Sequence, residues 1–154
     1  YIDTMPYPLI FFLEEISSNF SEELIDKNIF VIAQSGFPTP MVMDPIVNST
    51  ELFATQHKMN FLGAIRYGGG VMINGAELES FGKRGKSIIK YFNIMLDDVF
   101  LGNKISEDVK SNLGNNVPKF IYKPLAAFMN HSTKKNALSK NINLLEKVYS
   151  KITF

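Results

Sequence analysis

Cysteine is absent from the 154-residue chain, and histidine occurs twice, as His57 and His131. The first absence excludes disulfides, thiolate-held iron–sulfur clusters, thiolate zinc sites and a cysteine nucleophile. The scarcity of histidine removes the commonest metal ligand, and no metal site is expected. Charge of one sign is also missing: 16 Lys and Arg oppose 15 Asp and Glu, a formal net charge of +1. A dedicated nucleic-acid binder would carry a basic excess, so nucleic acid is not an expected partner. No apolar run approaches the roughly 20 residues that span a bilayer. The apolar stretch 9–13 is short and has neither a basic flank nor a small-residue cleavage site, so it does not read as a signal peptide. These absences predict a soluble, cytoplasmic protein without a membrane partner.

What is present suffices for a core. The chain has the modal size of one globular domain, 45% of its residues are hydrophobic, and at this length about two-thirds of the unfolded surface can be buried. In residues 8–20, Leu9, Phe12, Leu13, Ile16 and Phe20 recur at helical spacing behind Pro8, which suits a first helical turn; Glu14 and Glu15 fall on the outer side. Residues 29–33, Ile-Phe-Val-Ile-Ala, form a continuous apolar run stopped by Gln34-Ser-Gly-Phe-Pro. This is the pattern of a strand buried on both faces of a parallel sheet. A helix is expected over 41–58, with Pro45 in its first turn and Ile46, Leu52 and Phe53 inward. Residues 60–67 read as a second strand, stopped by Gly68-Gly-Gly. Strands alternating with helices imply crossovers and a parallel sheet covered on both faces, hence an α/β fold.

The C-terminal half reads as helical. Residues 87–101 carry Ile88, Tyr91, Phe92, Met95, Leu96 and Val99 as a broad stripe, closed by Gly102. Ser106 fits the N-cap of a short helix. Amphipathic helices are expected over 120–129 and 138–152, separated by the polar stretch 130–136, which holds His131. The expected organisation is an α/β body over residues 1–117 and a helical appendage over 118–154. His57 falls at a helix end, where the dipole favours it.

In open parallel sheets, ligands bind in the crevice beyond the carboxyl ends of the strands. Three stretches fall at that edge: 1–7, 34–40 and 67–74. The first offers an aromatic, a carboxylate, a hydroxyl and Met5-Pro6. The second offers Ser35, Gly36 and Phe37. The third has three glycines, where backbone can approach a flat ligand closely.

Taken together, Tyr1-Ile-Asp-Thr-Met-Pro-Tyr-Pro-Leu-Ile-Phe-Phe-Leu-Glu, then Val31-Ile-Ala-Gln-Ser-Gly-Phe-Pro, then Phe61-Leu-Gly-Ala-Ile-Arg-Tyr-Gly-Gly-Gly resemble the flavodoxin-like NAD(P)H-dependent FMN reductases. Phe81-Gly-Lys-Arg-Gly-Lys and the turn at 102–105 also resemble their C-terminal part. The likeness runs over about residues 1–127. It implies a three-layer sandwich around a parallel sheet of order 2-1-3-4-5, in which residues 1–3 end the third strand, 29–33 are the fourth and 61–67 the fifth. It implies FMN as cofactor, NAD(P)H as co-substrate and ring contacts at Tyr1, Ile2, Asp3, Thr4, Met5, Ser35, Gly36 and Phe37, with Gly68, Gly69 and Gly70 less directly. No side chain is given a catalytic role, because the flavin carries the chemistry. A homo-oligomer is also implied, since flavin sites of the family lie near dimer interfaces.

The family's first strand and phosphate-binding loop have no counterpart in this sequence. The expectation is therefore an N-terminally truncated domain, roughly 50–80 residues short of the usual pair of βα units. Ser80-Phe-Gly-Lys-Arg-Gly-Lys-Ser ends like a phosphate-binding P-loop, but Ser80 replaces the first glycine and no strand directly precedes it; a basic helix start is the expected reading. Two functions from different classes follow. One is an oxidoreductase moving electrons from NAD(P)H through bound FMN to an acceptor. The other is a non-enzymatic binding or interaction module that keeps the fold without the cofactor.

Overall fold

Two runs rich in β-branched and aromatic residues pair in parallel and organise the chain. They are β1 (Asn28–Gln34) and β2 (Asn60–Tyr67), joined in register from Asn28↔Asn60 to Gln34↔Tyr67. The computed structural model describes residues 5–70, 73, 75–114 and 118–143. The chain divides into two compact units, Tyr1–Val117 and Pro118–Phe154.

A parallel pair needs a long crossover, and α2 (Asp44–Gln56) supplies it; α1 (Tyr7–Asn19) precedes β1. Pro8 and Pro45 lie in the first turns of these helices, where a missing N–H leaves no bond unmade. The register is clipped at its start by Asn60. Its backbone N–H donates to the Lys27 carbonyl (2.8 Å), and its side-chain amide donates to Asp26 O (3.0 Å) and Asn28 Oδ1 (3.2 Å). One step later the ladder slips: Ile29 faces Phe61 and Phe30 faces Gly63, leaving Leu62 as an extra residue. Gly63 takes φ +121°, open to glycine and strained for other residues. The bulged Leu62 carbonyl accepts from Ile105 N–H (2.8 Å), tying the lead into α4 (Glu107–Gly114) to β2.

Alternation along β2 sorts the layers. Arg66 turns toward α2, where its Nε lies 2.7 Å from Asp44 Oδ1 without an aligned N–H···O bond. Ile65 turns the other way, into a core formed with Leu62 of the same strand, with Ile88, Met95 and Val99 of α3 (Lys83–Phe100) and with Ile105, Val109 and Leu113. The first unit is thus a parallel pair with helices on both faces, a mixed α/β arrangement. Gly85 of α3 is required by packing: a Cβ there would fall 1.7 Å from the Leu78 carbonyl, in the 3₁₀ turn Leu78–Phe81.

Several expected burials are corrected. β1 is not buried on both faces: Ala33 is buried, but Phe30 is 37% and Ile32 46% exposed. The core beside them is built on β2, and among the described residues no strand pairs with the other edge of β1. In α1 no described residue is fully buried, and Phe12 of the expected inner stripe is 57% exposed. In α2 the inward residues are Val47, Thr50 and Ala54, while Leu52 is 58% exposed. α2 begins at Asp44, after a 3₁₀ turn over Pro40–Met43. The expected inner set was one turn-phase off because small residues, not the largest, face the sheet. The buried Thr50 hydroxyl donates to the Ile46 carbonyl (2.9 Å), so it enters the core satisfied.

In the second unit the polar stretch 130–136 is helical. It forms part of α5 (Tyr122–Ser139), because it contains neither Gly nor Pro and a polar face needs only solvent. His131 is therefore an exposed helical residue and not part of a connector. The stop comes later: Asn141 takes φ +53°, its N–H donates to Leu138 O (3.1 Å), and Ile142 N–H donates to Ala137 O (2.8 Å). These are the paired bonds of a Schellman cap, and they end the helix where a second one was expected to begin; residues 144–152 of that expectation lie outside the described residues.

The same cap closes α3 with Gly102 and α2 with Lys58, whose φ is +54°. A lysine held there carries the steric cost of a Cβ in left-handed backbone, roughly 1–2 kcal/mol. Lys58→Gly should therefore stabilise the protein by about 0.5–1 kcal/mol after the entropy of glycine is counted. The expected result is a higher urea midpoint with an unchanged denaturant slope; a lower midpoint would show that the lysine side chain contributes more than its backbone costs.

Candidate functional site at the carboxyl edge of the strands

β1 and β2 end level, at Gln34 and Tyr67, so the loops that follow them emerge side by side. They are knitted together by backbone bonds. Ser35 N–H donates to Tyr67 O (3.0 Å), Gly69 N–H to Phe37 O (2.7 Å) and Gly70 N–H to Ser35 O (2.9 Å). Inside the first loop, Phe37 N–H donates to Ser35 Oγ (3.1 Å), a serine turn that fixes the loop tip.

The glycines serve this interlock. Gly68, Gly69 and Gly70 are all buried. A Cβ on Gly68 would lie 2.8 Å from the Pro38 carbonyl, and one on Gly70 would lie 1.7 Å from Gln34 Nε2. Gly69 takes φ +72° to aim its N–H at Phe37. The space in front of Gly68 and Gly70 is therefore filled by the neighbouring strand end and loop, and the glycines admit protein where a flat ligand was expected.

The structure brings Ser35, Gly36, Phe37, Gly68, Gly69 and Gly70 into one cluster. Of these, Gly36 is exposed, Phe37 is 47% exposed and Ser35 is half-buried. Met5 is described and is buried. Tyr1, Ile2, Asp3 and Thr4 lie outside the described residues, as do Val71, Met72 and Asn74 of the third loop. Sequence reasoning missed Gln34 and Pro38, which cover the glycines. The usable signal was the spacing: a glycine run at the end of one strand matched by a long polar side chain at the end of its neighbour.

No family model, curated protein or solved structure matches the chain.

Two other sequence features resolve into structural roles. Gly82 and Gly85 of the P-loop-like stretch serve a turn at φ +59° and the packing on Leu78, and the basic residues Lys83, Arg84 and Lys86 begin α3. His57 caps the end of α2 and ties it to α1: its Nε2 is 3.0 Å from Ser17 Oγ, its Nδ1 is 3.5 Å from Ser21 Oγ, and its ring lies 4.5 Å from that of Phe53. Among the described residues no three His, Asp or Glu side chains gather as metal ligands would. No helix of the described residues is long and apolar enough to cross a membrane.

The chemistry open to this edge is accordingly that of a hydrogen-bonded, uncharged loop tip with a half-exposed phenylalanine and exposed backbone at Gly36. The tip is held by the interlock, which sets the order of two substitutions. Gly68→Ala drives a methyl into a backbone carbonyl and should cost about 1–3 kcal/mol. Gly70→Ala meets only a side chain that can swing to another rotamer and should cost less than about 1 kcal/mol. Chemical denaturation of both variants checks the order; equal losses would mean that the Gln34 contact is as fixed as the backbone one.

Proposed function

We propose that this protein is an FMN-dependent oxidoreductase domain of flavodoxin-like type, cytoplasmic, passing electrons from NAD(P)H through bound flavin to an acceptor. The observation that carries the reading is the interlocked loop pair at the carboxyl edge of a parallel pair, with Gly36 and Phe37 outermost. That is the edge where open α/β sheets take their ligands, and it is where the resemblance puts the flavin ring.

The residues fit the ring in part. Phe37 offers an aromatic face, and Gly36 lets a planar group approach the backbone. Gly68–Gly70 fit a supporting role, since Gly69 and Gly70 spend their N–H groups within the interlock. FMN, when bound, would supply the hydride and electron transfer itself. The chain's part would be to hold the ring, orient one face of it and exclude water with Phe37. Because the residues behind this reading address the ring alone, FMN and riboflavin should bind within a few-fold of each other.

Titration of both flavins, followed by quenching of flavin fluorescence, tests the proposal. Phe37→Ala should weaken both equally, by about threefold to tenfold, the worth of one aromatic contact. NADH or NADPH should be oxidised only when flavin is present. A colourless protein that quenches neither flavin would favour the interaction module, a reading that draws on the same interlock, in which the edge bonds to itself.

We also propose that the protein self-associates. The support is the unpaired edge of β1 among the described residues and the exposed apolar side chains of α1, surfaces of the kind that find partners. Light scattering should give a mass above that of the 17.4 kDa chain at micromolar concentration. A clean monomer there would sink this part of the proposal.

A further inference from the structure

Beneath the interlocked loops, on the α3 side of the sheet, lies a cavity of about 410 Å³. Its inner surface is set by Ile65 and Ile88, both buried, and its rim by Ile32 and Phe92, both partly exposed. Gln34 and Tyr67 reach it from the strand ends, and Ile73 closes it from the turn beyond the glycines. Three properties define what it can hold. The volume lies within the roughly 300–1,000 Å³ of small-molecule sites. Among the described residues no charged side chain contributes to its wall, so an ionic group entering it would be desolvated without a partner there. Gln34 and Tyr67 are the described lining residues whose side chains carry hydrogen-bonding groups, a carboxamide and a hydroxyl.

We infer that this cavity is a binding site for a neutral, mainly apolar molecule of fused-bicyclic size that carries one hydrogen-bonding group. The wall is built by elements that need each other: Gly85 lets the turn Leu78–Phe81 settle on α3, and Leu78 then lines the cavity. Neither Gly36 nor Phe37 belongs to it, so the site does not rest on the flavin reading and can fail or hold separately.

Isoleucine is the natural reporter, because four of the lining residues are Ile32, Ile65, Ile73 and Ile88. The full chain, labelled at isoleucine δ1 methyls, is titrated with 2-naphthol, neutral at pH 7, and with naphthalene-2-sulfonate. Saturable shifts at those four methyls, with Ile10, Ile16 and Ile25 unmoved, are expected for 2-naphthol. The sulfonate should bind at least about tenfold more weakly. Ile32→Phe, at a partly exposed strand position where an aromatic is well accepted, should narrow the cavity and weaken 2-naphthol by about tenfold. The remaining methyl resonances should stay in place, which certifies the fold. Shifts centred on Ile10, Ile16 or Ile25, equal binding of the sulfonate, or a variant that binds 2-naphthol as well as the parent chain would each overturn the proposal. So would the absence of any saturable shift at millimolar probe.

Discussion

The level register of β1 and β2 is the constraint on which the first unit depends. Parallel strands whose carboxyl ends coincide must send their loops out together. Backbone groups leaving the ladder there still need partners, and each loop finds them in the other. Ser35, Phe37, Gly69 and Gly70 exchange the bonds that water would otherwise have to make. Two of the three glycines then answer to backbone: the chains meet so closely that a Cβ on Gly68 has no room against the Pro38 carbonyl, and Gly69 takes a left-handed φ to make its bond, while Gly70 faces the Gln34 side chain.

The bulge at Leu62 serves the same layout at the opposite end. One extra residue in β2 places Leu62 in the same core as Ile65, although the two are three positions apart in a strand where alternation would separate them. Its carbonyl is taken by Ile105, whose own side chain joins that core. The step from α3 into α4 is thereby fixed by a single irregularity, and Ser106, whose hydroxyl accepts from Val109 N–H at 3.4 Å, starts the helix that follows.

Much of the fold's local grammar was legible in the residues. The β-branched runs gave strands at 29–33 and 60–67, Pro45 marked a first helical turn, and Gly102 and Ser106 marked a stop and a start. What stayed hidden was of two kinds. The stop made by Asn141 in left-handed backbone carries a weak sequence signal, since it is not the glycine that such positions favour, whereas the stop near Lys58 was legible. Burial depended on partners that no single segment contains: Phe12 and Leu52 look like core residues in their own helices and are exposed in the fold. At the candidate site, clustering of Ser35–Phe37 with Gly68–Gly70 followed from reading both strands as parallel. The filling of the glycine faces did not, because it depends on side chains from the neighbouring strand.

The pairing of β1 with β2 also bears on the order in which the molecule assembles. Its first rung joins Asn28 to Asn60, 32 residues apart in the chain, whereas α3 and α4 need only neighbours. Closing so long a segment costs entropy before any ladder bond is made, and non-local pairings of this sort slow folding. Helix α2, 13 residues of that segment and packed on both strands, shortens the closure once it has formed. Until they do, the uncharged Ile-Phe-Val-Ile-Ala of β1 is an open template. The nascent chain is most exposed to misassembly in the interval between making its helices and aligning its two strands.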